Sequence, residues 1–195
     1  WHGDFVSPEQ IIPPNGLQDV QGRDLCWEAC VTMNRHWGYC AADPFCKPAD
    51  LLIKKLVECV SKGGNLLLNV GPDARGNFPP ESLECLKTIG KWMKFNSRSI
   101  YGCGKAGIEK PDYGRVTRNG NRLYFHIYEN TLGPLPLIGL KKDQIDRIRW
   151  LATGAEIPIS TAWMHSDYPE IVFADLGPNP VLPDGVDTVI EVTLK

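Results

Sequence analysis

The chain has 195 residues, 43% hydrophobic and 23% charged, a globular composition with room for one large domain or two small ones. Its formal net charge of -2 leaves no basic excess for displacing counterions from nucleic acid. No apolar run approaches the roughly 18 residues of a membrane span, so neither nucleic acid nor membrane is expected as a partner.

The chain opens on Trp1-His2-Gly3-Asp4, without an initiator Met or the charged and apolar regions of a leader, and reads as a mature or truncated end. Residues 1–24 are rich in Pro, Gly, Asp and Gln, show no period, and read as a long loop of the kind that is functional or disordered. Leu25 to Met33 reads as a strand with Trp27, Ala29 and Val31 on one side. Pro48-Ala49-Asp50 opens a helix whose Leu52, Ile53, Leu56, Val57 and Val60 keep a 3.6-residue period. Gly63-Gly64 ends it. The run Asn65 to Val70 then suits a strand buried on both faces, with Asn65 and Asn69 at its ends. A Gly-Pro turn follows, and Pro80 with Glu81 begins a second helix, to about Asn96, with Leu83, Leu86, Ile89, Gly90, Trp92 and Met93 inward.

After about Cys103 the pattern changes. Short β-rich runs at 122–128, 148–151, 170–173 and 188–194, separated by turns such as Asn119-Gly120-Asn121, predict an antiparallel sandwich. The expected fold class is therefore α/β followed by all-β, with residues 1–105 as one domain and 106–195 as the other. Two β/α units cannot close a (β/α)8 barrel, which takes about 250 residues, so 1–105 reads as the closing part of such a barrel. The remaining strands are expected upstream of Trp1.

The seven cysteines (Cys26, Cys30, Cys40, Cys46, Cys59, Cys85 and Cys103) cannot all pair, and no Asn-x-Ser/Thr sequon is present. Both facts favour a reducing setting such as bacterial cytoplasm. A zinc site on Cys26, Cys30, Cys40 and Cys46 would need spacings other than these, and buried structural thiols are the expected role. No metal or organic cofactor is expected.

Five blocks taken together are similar to the α-L-fucosidases of glycoside hydrolase family 29. They are Gly3-Asp4-Phe5-Val6-Ser7-Pro8-Glu9-Gln10, Trp27-Glu28-Ala29-Cys30-Val31-Thr32-Met33-Asn34, Trp37-Gly38-Tyr39, the run Gly63 to Pro72, and Gly90-Lys91-Trp92 with Ile100-Tyr101-Gly102. All five follow the family's order. The resemblance implies a retaining hydrolase that removes α-L-fucose from a fucosylated oligosaccharide or glycoconjugate. Such a reaction uses two carboxyl groups roughly 5–5.5 Å apart, a nucleophile and an acid/base. The family's Asp nucleophile lies on an earlier strand and has no counterpart in residues 1–103, so a chain without that missing N-terminal barrel segment is expected to be inactive. The acid/base falls on Glu9 or Glu28. Glu9 is preferred because its loop motif is nearly complete, with Ser7 in place of Thr; Glu28 has the apolar neighbours that suit a protonated carboxyl. Trp37 matches an aromatic position set against the sugar's methyl group, and Trp1, His2 and Asp4 are expected to border the pocket. One departure is Arg75-Gly76, where the family often has Asp-Gly.

His126 and His165, with no carboxylate or cysteine cluster nearby, are expected to be structural. Trp150, Trp163 and Tyr168 could form a sugar-stacking platform, although core packing is commoner for such rings. The alternative to an enzyme is therefore a non-catalytic carbohydrate-binding sandwich beside a vestigial half-barrel.

Overall fold

A computed structural model describes residues 3–161, 166–178 and 181–195. The chain divides into two compact units, Trp1–Ser97 and Arg98–Lys195. This division falls a few residues before the change in sequence character.

In the first unit the order is β1 (Glu28–Thr32), α1 (Ala49–Ser61), β2 (Asn65–Asn69) and α2 (Pro80–Asn96). β1 and β2 are parallel, with Glu28 opposite Asn65 and Thr32 opposite Asn69. Residues 1–24 are not wholly a loop. Val6 bridges Trp27 and Glu9 bridges Cys30, both in the parallel sense. Four backbone hydrogen bonds make these bridges: Val6 N to Cys26 O, Glu28 N to Val6 O, Cys30 N to Pro8 O and Gln10 N to Cys30 O, each 2.8–3.0 Å. A third parallel segment thus lies along the free edge of β1. Its Ser7 and Pro8 hid it from a propensity reading.

Side chains alternate across a strand. Trp27, Ala29 and Val31 pack with Cys59 of α1 and with Leu66 of β2. Leu68 and Val70 join Met33, Leu52, Cys85, Leu86 and Ile89 in a second apolar cluster. The opposite face carries Glu28, Cys30, Asn65 and Leu67, and Leu67 is 47% exposed. The expectation that β2 is buried on both faces therefore fails within this chain. Cys26 and Cys30 share that open face, so Cys26 is exposed and Cys30 half-buried rather than core. In α2 the inward residues are Ser82, Cys85, Trp92 and Asn96, while Leu83 is 41% exposed. Leu86, Ile89 and Trp92 of the expected inner face do pack inward, whereas Leu83 and Gly90 turn to solvent and Ser82 and Cys85 take the inward positions of the first turns. All seven thiols are free, and among the described residues no group of three His, Cys, Asp or Glu could hold a metal ion.

α1 ends in a Schellman turn. Gly63 takes φ 77°, its N–H reaches Val60 O at 2.9 Å, and Gly64 N–H reaches Cys59 O at 2.9 Å. Gly64 then lies against Trp27, and a Cβ added there would fall 2.2 Å from the indole. Because Trp27 is only 2% exposed, the ring has nowhere to move. Gly64→Ala is expected to destabilise this unit by about 3 kcal/mol. Urea unfolding followed at helix wavelengths checks this; a loss below about 1 kcal/mol would contradict the packing.

The second unit is antiparallel throughout. Its five-stranded sheet runs β3 (Gly104–Lys105), β4 (Gly114–Asn119), β5 (Arg122–Ile127), β9 (Thr188–Leu194), β7 (Ile145–Trp150), and a two-stranded sheet pairs β6 (Leu135–Leu137) with β8 (Val172–Ala174). Asn119 pairs with Arg122 across a two-residue hairpin loop in which Gly120 supplies φ 59°. Val116, Leu123, Phe125, Ile127, Ile148, Ile190 and Val192 from the larger sheet meet Leu135, Leu137, Val172 and Ala174 from the smaller in one core. Trp150 packs against that core, while Tyr168 is exposed. Trp163 and His165 lie outside the described residues.

The reverse face of the larger sheet is buried as well, and it is polar. His126 Nδ1 lies 2.7 Å from Asp187 Oδ2, and Thr117 Oγ1 lies 3.3 Å from His126 Nε2. Asp187 arrives from just before β9, 61 positions along the chain, a partner that the sequence did not bring to His126.

Candidate functional site

The C-terminal ends of parallel strands are where β/α folds gather their chemistry. Here that lip is built from the ends of three neighbours: Glu9 and Gln10, Thr32 at the end of β1, and Asn69 at the end of β2. Thr32 is buried and acts as the knot. Its Oγ1 accepts from Gln10 Nε2 at 2.9 Å and donates to Asn34 O at 2.6 Å. Lys47 returns from the far end of the following loop, and its Nζ donates to Thr32 O at 2.6 Å and Asn34 O at 2.9 Å. Burial of this ammonium pushes its pKa below the ordinary lysine value.

Two sequence-predicted residues meet at this lip. Trp37 Nε1 donates to Glu9 Oε1 at 3.0 Å, although the two are 28 positions apart. Trp37 is 43% exposed and Glu9 is exposed, so both can meet a ligand. The backbone that presents Glu9 is held in an unusual shape. Gln10 has φ 58°, the one positive value outside glycine among the described residues. That conformation costs a few kcal/mol at most and persists because Gln10 is tied at its N–H to Cys30 O and at its side chain to Thr32.

Glu28 stands earlier, on the strand beside the Glu9 segment. It is the first residue of β1, opposite Asn65 at the start of β2, and half-buried. Four strand steps separate it from Thr32, roughly 13 Å along the sheet. Cys30, the residue opposite Glu9, is only two steps further along the same face, so Glu28 and Glu9 stand on neighbouring strands about 7 Å apart along the sheet. Asn69 lies at the lip beside Thr32, and its Oδ1 is a buried acceptor with no hydrogen-bond partner among the described residues. Trp1 and His2 lie outside the described residues, and Asp4 is exposed.

Sequence reasoning missed Gln10, Thr32 and Lys47. Gln10 and Thr32 were inside the quoted blocks, but nothing in their spacing shows that they bond to each other. The arrangement as a whole provides an exposed carboxyl oriented by an indole, on a rigid lip with open polar groups: a proton donor or acceptor beside a surface that could take an apolar sugar face.

The alpha-L-fucosidase family model matches residues 1–98. Over 137 residues the chain is 38% identical to an alpha-L-fucosidase of Dictyostelium discoideum, covering 66% of this chain and 28% of that protein. Among solved structures, alpha-L-fucosidase isoenzyme 1 from Paenibacillus thiaminolyticus superposes with a TM-score of 0.94 at 50% identity, over 99% of this chain and 45% of that one. A family 29 alpha-L-fucosidase from Bacteroides thetaiotaomicron, trapped as a covalent intermediate with 2-fluoro-fucosyl fluoride in a Glu-to-Gln mutant, gives a TM-score of 0.80 at 28% identity, over 99% and 44%. The chain belongs to the alpha-L-fucosidase family. It spans less than half the length of these relatives.

Proposed function

We propose that this chain supplies the closing strands, the acid/base and the supporting sandwich of a retaining glycosidase that removes terminal α-L-fucose from glycoconjugates. The observation that carries the reading is the Glu9–Trp37 hydrogen bond at the C-terminal lip, inside the stretch that matches the family. The open face of the β1–β2 sheet supports the barrel: parallel sheets are almost always covered on both sides, and here only one side has its helices.

In this reading Glu9 protonates the glycosidic oxygen as the bond breaks, then takes a proton from the water that releases the sugar. The indole N–H of Trp37 fixes the carboxyl's position, and its ring offers a face to the C6 methyl of fucose. Burying that methyl is worth about 0.8 kcal/mol, and a hexose with a hydroxyl there would have to desolvate it. The nucleophile is an Asp on a strand that residues 1–103 do not include. Glu28, two strand steps from the level of Glu9 and without a ring to orient it, is the rival for the acid/base role. Two carboxyls and a water suffice for the chemistry.

The complete enzyme, with its earlier barrel strands, is expected to hydrolyse nitrophenyl α-L-fucoside and to release α-fucose first, as seen by proton NMR. The 195-residue chain alone is expected to give no turnover above blank. Release of β-fucose first, or no hydrolysis by the complete enzyme, would defeat the retaining fucosidase; steady turnover by the chain alone would defeat the missing nucleophile.

A further inference from the structure

A cavity of about 400 Å³ opens between the loop that follows β1 and the loop that follows β2, and the sugar-cleaving reading above leaves it without a role. Its lining includes Asn34, Tyr39 and Phe45 from the first loop, and Asp73, Asn77 and Phe78 from the second. The three rings are 51%, 39% and 41% exposed, so each keeps an open surface after the unit has folded. Aromatic rings alternating with amides and a carboxylate are what a pyranose needs, with its C–H face stacked on a ring and its hydroxyls bonded at the edge. A cavity of this size takes one or two hexose rings.

The two loops approach closely at Gly71. A Cβ on Gly71 would lie 2.4 Å from the carbonyl carbon of Gly38 and 2.7 Å from Tyr39 N, so the backbones touch there. Gly38 stands between Trp37, which holds Glu9, and Tyr39, which lines the cavity. The wall of the cavity is thus continuous with the residue that orients the acid. The second loop is stiffened by Asp73, whose Oδ1 accepts from Arg75 N at 2.8 Å and Asn77 N at 2.9 Å. Those backbone donors, Asn77 first, hold its carboxyl below the usual carboxylate range. A fixed negative charge on the rim favours a neutral guest over a phosphorylated or acidic one.

A general acid must touch the oxygen of the leaving group, so the leaving sugar has to sit on the acid's side of the scissile bond. From this we infer that the cavity is the subsite for the neutral saccharide from which fucose is removed, with Tyr39 and Phe78 as its stacking platforms. The inference rests on the fucosidase reading, and its test separates the two. The complete enzyme and its Tyr39→Ala and Phe78→Ala variants are assayed on fucosyllactose and on nitrophenyl fucoside, which has no leaving sugar. The ratio of kcat/KM for the trisaccharide to that for the aryl fucoside is expected to fall about tenfold in each variant, a change in recognition that misfolding would not mimic because it lowers both values together. A ratio within twofold of the unaltered enzyme in both variants overturns the subsite. Failure of the unaltered enzyme to cleave either compound overturns the fucosidase reading and the subsite with it.

Discussion

Replacing Glu9 by Gln in the complete enzyme is expected to lower kcat on fucosyl oligosaccharides by about 10²–10⁴, the usual worth of a positioned general acid. The loss should depend on the leaving group. A sugar alkoxide needs its proton during bond cleavage, whereas nitrophenolate leaves well without one, so the aryl fucoside should lose far less in the first step. Its second step still lacks a base, and azide, which needs none, should restore turnover and yield fucosyl azide. Glu28→Gln is the matched comparison: it removes the same charge from the start of β1, two strand steps from the level of Glu9, and should cost less than tenfold with no azide effect. Trp37→Phe keeps the ring but removes the N–H that reaches Glu9 at 3.0 Å. It should lower kcat on the fucosyl oligosaccharide more than on the aryl fucoside, a leaving-group dependence that simple loss of packing would not produce. If Glu28→Gln shows the large loss and azide rescue while Glu9→Gln does not, the assignment is reversed.

Much of this was legible in the chain itself, and the limits are physical. α1, β2, α2 and β9 follow from a clear apolar period bounded by Gly-Gly, Gly-Pro and Pro-Glu, and β9 spans Thr188–Leu194 as the sequence suggests. The segment at Val6 to Glu9 escaped because parallel edge pairing needs only backbone groups, and Ser7 and Pro8 carry no β signal. The face of β2 was misjudged for a related reason. Leu66, Leu67 and Leu68 look alike in sequence, but only Leu66 and Leu68 meet the helices. The Glu9–Trp37 pair joins two blocks that sequence reading could name but not bring together. Lys47 gave no signal: its role depends on the 33–48 loop folding back so that one ammonium reaches Thr32 and Asn34. Asp187, too, reaches His126 only through the β5–β9 register.

In the sandwich the largest stability effect is expected at Arg149. Glu191 lies mid-strand in β9, on the polar reverse face of the five-stranded sheet, opposite Tyr124 of β5 and Arg149 of β7. Its side chain has no solvent exposure. Arg149 donates to Oε1 from Nε at 2.8 Å and from Nη2, and Arg98 donates to Oε2 at 2.7 Å. Arg98 is 47% exposed and Arg149 27%, so the carboxylate is the desolvated member and the arginines carry its compensation. Arg149→Ala strips one oxygen of both donors while leaving the charge buried, and should destabilise this unit by about 3–5 kcal/mol. Hydrogen exchange of the β9 amides is the suitable readout, because a chain of two units need not unfold in one step. The double variant Arg149→Leu with Glu191→Leu removes the buried charge along with its donor and fills the space with apolar volume. It should therefore be more stable than Arg149→Ala alone, although it changes more residues. If the double variant is as damaged as the sum of its parts, Glu191 is held by sheet packing rather than by its arginines, and the electrostatic account of this face is wrong.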